Sequence, residues 1–207
     1  MKKNKTKKKI GKGDFGYYKA EKKRRALITL ALFSVPLLIF FAAWIYHGDR
    51  NTIWTVIAVV GCLPACKFAV DLIMIMMRKP MSDELYKKIS DHAGNLTMSY
   101  EMYMTSYEKS AHIDAIAICG NEVVAYSSDP KIDAPFMADH AQKIVRKNGY
   151  KVNVKILTEL RAYLERLDGM NEHQESLREN IKMIPDDRYP NLSREEIIKR
   201  VILAICL

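Results

Sequence analysis

Between Ala26 and Met77 the chain carries two apolar segments separated by a turn of six residues. The first, Ala26 to Tyr46, has no charged residue, and the second, Ile53 to Met77, has only Lys67 and Asp71. At a rise of about 1.5 Å per residue, each helix is long enough to cross a hydrocarbon core about 30 Å thick. A soluble helix pair rarely stays apolar on every face over such a length. The pattern therefore predicts a transmembrane helical hairpin over 26–77, with spans 26–46 and 53–77 and an outside turn at 47–52.

The flanks predict its orientation. Lys22, Lys23, Arg24 and Arg25 precede the first span, and Arg78 and Lys79 follow the second, whereas the turn holds one acid and one base. Basic residues collect on the cytosolic side, so both termini are expected in the cytosol, at a plasma membrane of bacterial type. Trp44, Tyr46 and Trp54 fall at the outer boundary, where amphipathic rings prefer to sit. A second span following at once argues against a cleaved signal peptide.

The net charge of +9 is uneven. Residues 1–25 hold 12 Lys and Arg against 2 acids, while residues 80–207 hold 17 against 20. The basic character thus belongs to the tail and not to the globular part, which argues against a nucleic-acid partner. Residues 1–25 read as a disordered basic cytosolic tail, with Lys7, Lys8, Lys9, Lys22, Lys23, Arg24 and Arg25 as lipid-binding residues. Each such cation near an anionic membrane surface contributes about 1 kcal/mol. Cys62, Cys66, Cys119 and Cys206 lack the clustering of a metal site, and no disulfide is expected in a reducing compartment.

Within the second span, Lys67 and Asp71 stand one helical turn apart and are expected to form an intramembrane charge pair. An unpaired charge at the bilayer centre would cost about 2.5–3.5 kcal/mol. Alternatively the cytosolic end of this helix lies shallow, with Asp71 among the headgroups. Gly61, Ala65 and Ala69 form a row of small residues that lets the first span approach closely.

Residues 80–207 read as a cytosolic mixed α/β domain with a sheet of three or more strands and C-terminal helices. Ser82 starts a helix whose spacing through Leu85, Ile89, Leu96, Tyr100, Tyr103 and Tyr107 predicts helix to about Glu108, interrupted near Gly94. Residues 113–119 and 122–127 read as strands joined by Gly120-Asn121. A helix over 133–147 ends at Asn148-Gly149, a strand covers 150–156, and further helices cover 158–167 and 172–183. Residues 185–190 form a loop, and Ser193 with Glu196 makes a capping box for a last helix. That helix ends in the apolar run 201–207, expected to pack on the sheet.

The order helix, hairpin, helix, strand, helix in 82–167 resembles the nuclease-related domain of some bacterial proteins, with its restriction-endonuclease-like core. The likeness centres on residues 111–126, where an Ile-Asp strand leads through a glycine turn into a second strand. The resemblance implies a carboxylate at Asp114, then an acid and a lysine two residues on. The stretch that should supply them reads Ala125-Tyr126-Ser127 and departs from the pattern. The nearest replacement is Asp129-Pro130-Lys131. In that arrangement Asp114 and Asp129 would hold Mg²⁺ and Lys131 would orient the attacking water.

Two functions follow from these readings. The first is a membrane-anchored binding or adaptor domain without catalysis or cofactor, its tail on anionic lipid and its domain on a protein partner or a second copy. The alternative is a membrane-tethered, metal-dependent phosphodiesterase using Asp114, Asp129 and Lys131. They differ in what surrounds Asp114.

Overall fold

A computed structural model describes residues 10–48, 53–179, 181 and 192–206. Lys7, Lys8, Lys9, most of the predicted outside turn, the 185–190 loop and Leu207 lie outside the described residues. The chain divides into two compact units, one comprising Gly16–Pro80 and the other Met1–Phe15 with Met81–Leu207. Among the described residues there are seven helices and one four-stranded sheet, a mixed α/β architecture.

The first unit is an antiparallel pair of long helices, α1 (Tyr17–His47) and α2 (Ile53–Met76). Helix α1 begins nine residues before the apolar run, so Tyr17–Arg25 are helical and not part of a disordered tail. Both helices are long and apolar enough to cross a membrane, with only 17% and 11% of their most apolar windows buried. Their outward faces carry Leu27, Leu30, Leu38, Val59 and Leu63, all well exposed. Such faces do not suit a soluble core.

Small residues make the seam. A Cβ built at Gly61 would lie 3.6 Å from Pro36 Cβ, ordinary contact distance, and Ala58 and Ala65 are buried. Pro36 and Pro64 both sit inside their helices. Backbone polar groups near one end are satisfied across the pair. The Thr29 hydroxyl donates to the Arg25 carbonyl at 2.8 Å and the Phe68 carbonyl at 3.3 Å. Lys22 Nζ donates to the carbonyls of Met76 and Arg78, where the unpaired C-terminal carbonyls of α2 favour a cation.

The second unit is built on strands β1 (Thr97–Thr105), β2 (Ser110–Cys119), β3 (Glu122–Tyr126) and β4 (Asn153–Leu157), in that spatial order. The first three run antiparallel, and β4 lies parallel to β3 after a crossover through α4 (Ala134–Lys147). One face is covered by α4 and α7 (Arg194–Ala204) through Met137, Ala141, Val145, Ile198 and Ile202. The other is covered by α3 (Asp83–Ala93) and α5 (Leu160–Glu172) through Ile89, Tyr163, Leu167 and Met170.

The long helix expected from Ser82 to Glu108 is instead α3 followed by β1. Gly94, at φ +49, ends α3, and a Cβ there would strike Asn171. Beyond it, tyrosines spaced three and four apart mimic a helical stripe, but Thr97–Thr105 is rich in Thr, Tyr and Met and pairs with β2 at every position but Glu101. Sheet pairing overrode the periodicity. Of the helix expected over 172–183, the described part is α6 (Gln174–Glu179), residues 180, 182 and 183 lie outside the described residues, and α5 runs through Gly169 to Glu172.

The predicted capping box at Ser193 and Glu196 is present in both directions. The C-terminal run packs on the sheet, with Ile202 and Cys206 buried and Cys206 bridged to Met104. Ile10–Phe15 belong to this unit too. The Gly13 carbonyl accepts from the Tyr100 amide at 2.8 Å, Lys12 Nζ donates to the Cys206 carbonyl, and Phe15 stacks on Tyr86 at 3.8 Å. The outer edge of β1 is thereby sealed from both ends of the described chain.

Candidate functional site

The β1–β2 ladder pairs every position from Thr97–Ile118 to Thr105–Ser110 except one, where Glu101 would face Asp114. Glu101 has φ +51, the left-handed region that disfavours a residue with a Cβ. The break turns both strands over. Leu96, Met98 and Tyr100 pack on the α3/α5 face, whereas Met102 and Met104 pack on the α4/α7 face. On β2, Ile113 and Ala115 divide in the same way. Two carboxylates are buried at this point, Glu101 at 1% and Asp114 at 3% exposure.

Each has a built-in donor. Glu101 Oε1 accepts the Met81 amide at 3.1 Å. Asp114 Oδ1 is 3.2 Å from His112 Nε2, and Oδ2 accepts the Ser128 amide at 2.6 Å. Burial pushes the Asp114 carboxyl up, but the bonds from His112 and Ser128 outweigh it and hold the group below its ordinary range. Ser127 Oγ donates to the His112 carbonyl at 2.5 Å and accepts the Asp129 amide, so the strand end and the following turn are laced together.

The other two residues of the predicted metal site do not complete it. Asp129 Oδ1 accepts the Lys131 amide at 3.0 Å, closing a turn of the kind Asp-Pro sequences favour. Among the described residues no group of three His, Cys, Asp or Glu side chains is placed to hold a metal ion. With Asp114 buried and Asp129 closing its own turn, these residues do not assemble a Mg²⁺ site. Cys119, at the end of β2, is fully buried with its thiol pushed up by burial.

Aromatic rings line the same face of the sheet. Tyr126 and Tyr163 lie 5.5 Å apart, and Tyr86 meets Tyr100 edge-on at 5.1 Å. The Tyr163 hydroxyl is fully buried and has no hydrogen-bond partner among the described residues. Burial pushes its phenol well up, and lifts that of Tyr100 to about 12. No ionisation of these phenols is available near neutral pH.

In the hairpin, the predicted basic cluster is largely committed to the fold. Glu21 pairs with Arg25 at 2.9 Å and with Arg24 at 3.5 Å, and Lys22 caps α2. Lys23 is left exposed. The expected ion pair between Lys67 and Asp71 is not formed. Lys67 points outward, while Asp71 lies half-buried beside α1, its carbonyl 3.4 Å from Arg25 Nη1. The antiparallel packing brings Arg25 to the level of Asp71, a neighbour that helical spacing within α2 alone does not reveal.

A third constellation escaped sequence reasoning. Glu195, at the start of α7, accepts from the Gly120 amide at 2.9 Å, the Thr97 hydroxyl at 2.9 Å and both edges of the Arg178 guanidinium. Burial raises its carboxyl, but Arg178 and the other donors hold it below the ordinary range. It clasps α7 to β1, α6 and the β2–β3 turn, a structural task for which no local motif exists. Comparison with protein-family models, with curated proteins and with solved structures found no match.

Proposed function

We propose that this chain is a two-span protein of a bacterial-type plasma membrane. Both termini are cytosolic, and its α/β unit is a binding or adaptor module for a protein partner or a second copy, without catalysis. The observation that carries the non-catalytic part is the state of Asp114, whose two oxygens are engaged by His112 and Ser128. A catalytic metal must meet water and substrate, whereas Asp114 is 3% exposed and among the described residues no group of three candidate ligands is assembled. The membrane part is supported by two helices with exposed apolar faces and by the polar groups gathered at one end of the pair. The basic segment before the first span then meets anionic headgroups.

The metal-dependent phosphodiesterase stays in view through one observation. The order α3, β1–β3, α4, β4, with Asp114 on the strand before the Gly120 turn, fits the resemblance to the nuclease-related domain. Calorimetric titration of the full chain in nanodiscs with Mg²⁺ or Mn²⁺ separates the two readings. The binding module gives no saturable heat in either the native protein or Asp114→Asn. Heat saturating at one ion per chain and lost in Asp114→Asn would reverse the conclusion.

A further inference from the structure

We propose that Lys67 binds the phosphate of an anionic phospholipid in the leaflet next to the basic end of the hairpin. The inference rests on the transmembrane reading above and adds a ligand to it. Contacts across the pair fix which residues share a level. Lys22 meets Met76, Arg25 meets Asp71, Thr29 meets Phe68 and Pro36 meets Gly61. The apolar run of α1 begins at Ala26, so the matching boundary on α2 falls at about Asp71, and Leu72 to Met76 lie level with the basic residues of α1. From Arg25 to Trp44, and from Trp54 to Asp71, the helices rise about 25–29 Å, close to one hydrocarbon thickness.

Lys67 therefore sits one helical turn inside the boundary. It is exposed, and among the described residues no acid pairs with its ammonium. A cation in that position does not stay in hydrocarbon. Its four-carbon stem runs along the apolar helix surface and delivers the ammonium to the headgroup layer. Asp71, one turn further along α2, is half-buried, its main-chain carbonyl accepts from Arg25 Nη1 at 3.4 Å, and its carboxylate makes no ion pair with Lys67. The group that Lys67 reaches is thus a lipid phosphate.

The surroundings select an anionic lipid. Around this boundary stand Lys22, Lys23, Arg24, Arg25, Arg78 and Lys79, against Glu21 and Asp71. The excess of positive charge raises the local concentration of anionic headgroups, and Lys67 supplies a donor from below the phosphate plane. An aqueous path through the membrane would need this residue to face protein or a cavity, and its side chain faces outward instead.

The test is electron spin resonance of the full chain in bilayers of phosphatidylcholine with 30% phosphatidylglycerol, using spin-labelled forms of both lipids as probes. The native protein is expected to immobilise phosphatidylglycerol in preference to phosphatidylcholine. In Lys67→Leu that preference falls by about fivefold, the factor corresponding to one headgroup-level cation. Lys67→Arg retains it, and Asp71→Asn leaves it in place. Fluorescence of Trp44 and Trp54 in the same bilayers confirms that each variant is inserted. An unchanged preference in Lys67→Leu, or a preference that rises in Asp71→Asn because a paired lysine has been released, overturns the proposal. Absence of any immobilised lipid around the native protein overturns the hairpin reading, and this proposal with it.

Discussion

Glu101 and Asp114 occupy the single unpaired position of the β1–β2 ladder, both buried, each holding a main-chain amide from a neighbouring loop. Glu101 accepts from Met81 and Asp114 from Ser128, so the two carboxylates fasten the loops entering α3 and leaving β3 to the middle of the sheet. The left-handed backbone at Glu101 costs about 1–3 kcal/mol, which these attachments must offset.

Replacing Glu101 separates the two contributions. Glu101→Ala loses the bond to Met81 and keeps the disfavoured φ, whereas Glu101→Gly loses the same bond and relieves the backbone. The glycine variant is expected to be more stable than the alanine variant by about 1 kcal/mol, although glycine normally weakens a strand. Thermal unfolding of the two proteins, followed by circular dichroism, gives the order directly. Alanine equal to or above glycine would show that Glu101 carries no backbone strain.

Asp114→Asn should destabilise the α/β unit by about 1–3 kcal/mol at neutral pH, because the amide replaces an acceptor for both His112 and Ser128 with a mixed donor and acceptor. The pH dependence has a definite sign. The folded carboxyl titrates below its ordinary value, so its contribution is complete above about pH 4 and is lost as pH falls through the lowered pKa. Midpoints of the native and Asp114→Asn proteins should converge in acid and separate toward pH 7. A constant gap across pH 2–7 would remove the charge from the explanation.

Glu195 is the clasp most sensitive to truncation. Glu195→Ala leaves the Gly120 amide and the Arg178 guanidinium without their acceptor, an expected loss of about 2–3 kcal/mol. Its folded carboxyl is also lowered, so acid weakens the same clasp in the native chain. Denaturant midpoints at pH 7 measure the effect; a change under 0.5 kcal/mol, within the range of ordinary surface substitutions, would make the clasp incidental.

Gly13 has φ +87, and a Cβ there would meet Ser99 Oγ at 2.4 Å and Leu203 at 3.0 Å. Gly13→Ala is expected to lift Ile10–Phe15 from β1 and speed hydrogen exchange at the Tyr100 amide by tenfold or more, as its acceptor is the Gly13 carbonyl. Unchanged exchange at Tyr100 with full folding would mean that the edge is sealed without this segment. The same contact warns against excising the domain at residue 80.

Gly61→Ala should be tolerated, because a Cβ finds ordinary contact with Pro36, while Gly61→Leu should drive α1 and α2 apart. Cysteine crosslinking between positions 32 and 65 reports the separation. Equal crosslinking in both variants would place the seam elsewhere.

Several elements could be read directly along the chain because their causes are local. The two apolar helices follow from runs longer than any soluble helix face tolerates, α4 from its spacing and its Asn148-Gly149 stop, and α7 from the Ser193–Glu196 box. The β2–β3 hairpin follows from alternating β-formers about a glycine turn. Tertiary structure decided what depends on partners distant in sequence. Thr97–Thr105 became a strand because β2 offered it a ladder, although its tyrosines are spaced like a helix. Ile10–Phe15 joined the sheet unit across the whole hairpin insertion. Asp114 became a structural acceptor because Ser128, beyond the end of β3, came within its reach, and the level of Asp71 is shared with Arg25 of the opposite helix. Periodicity and capping are properties of adjacent residues, whereas the environment of a charge is set by whichever elements pack around it.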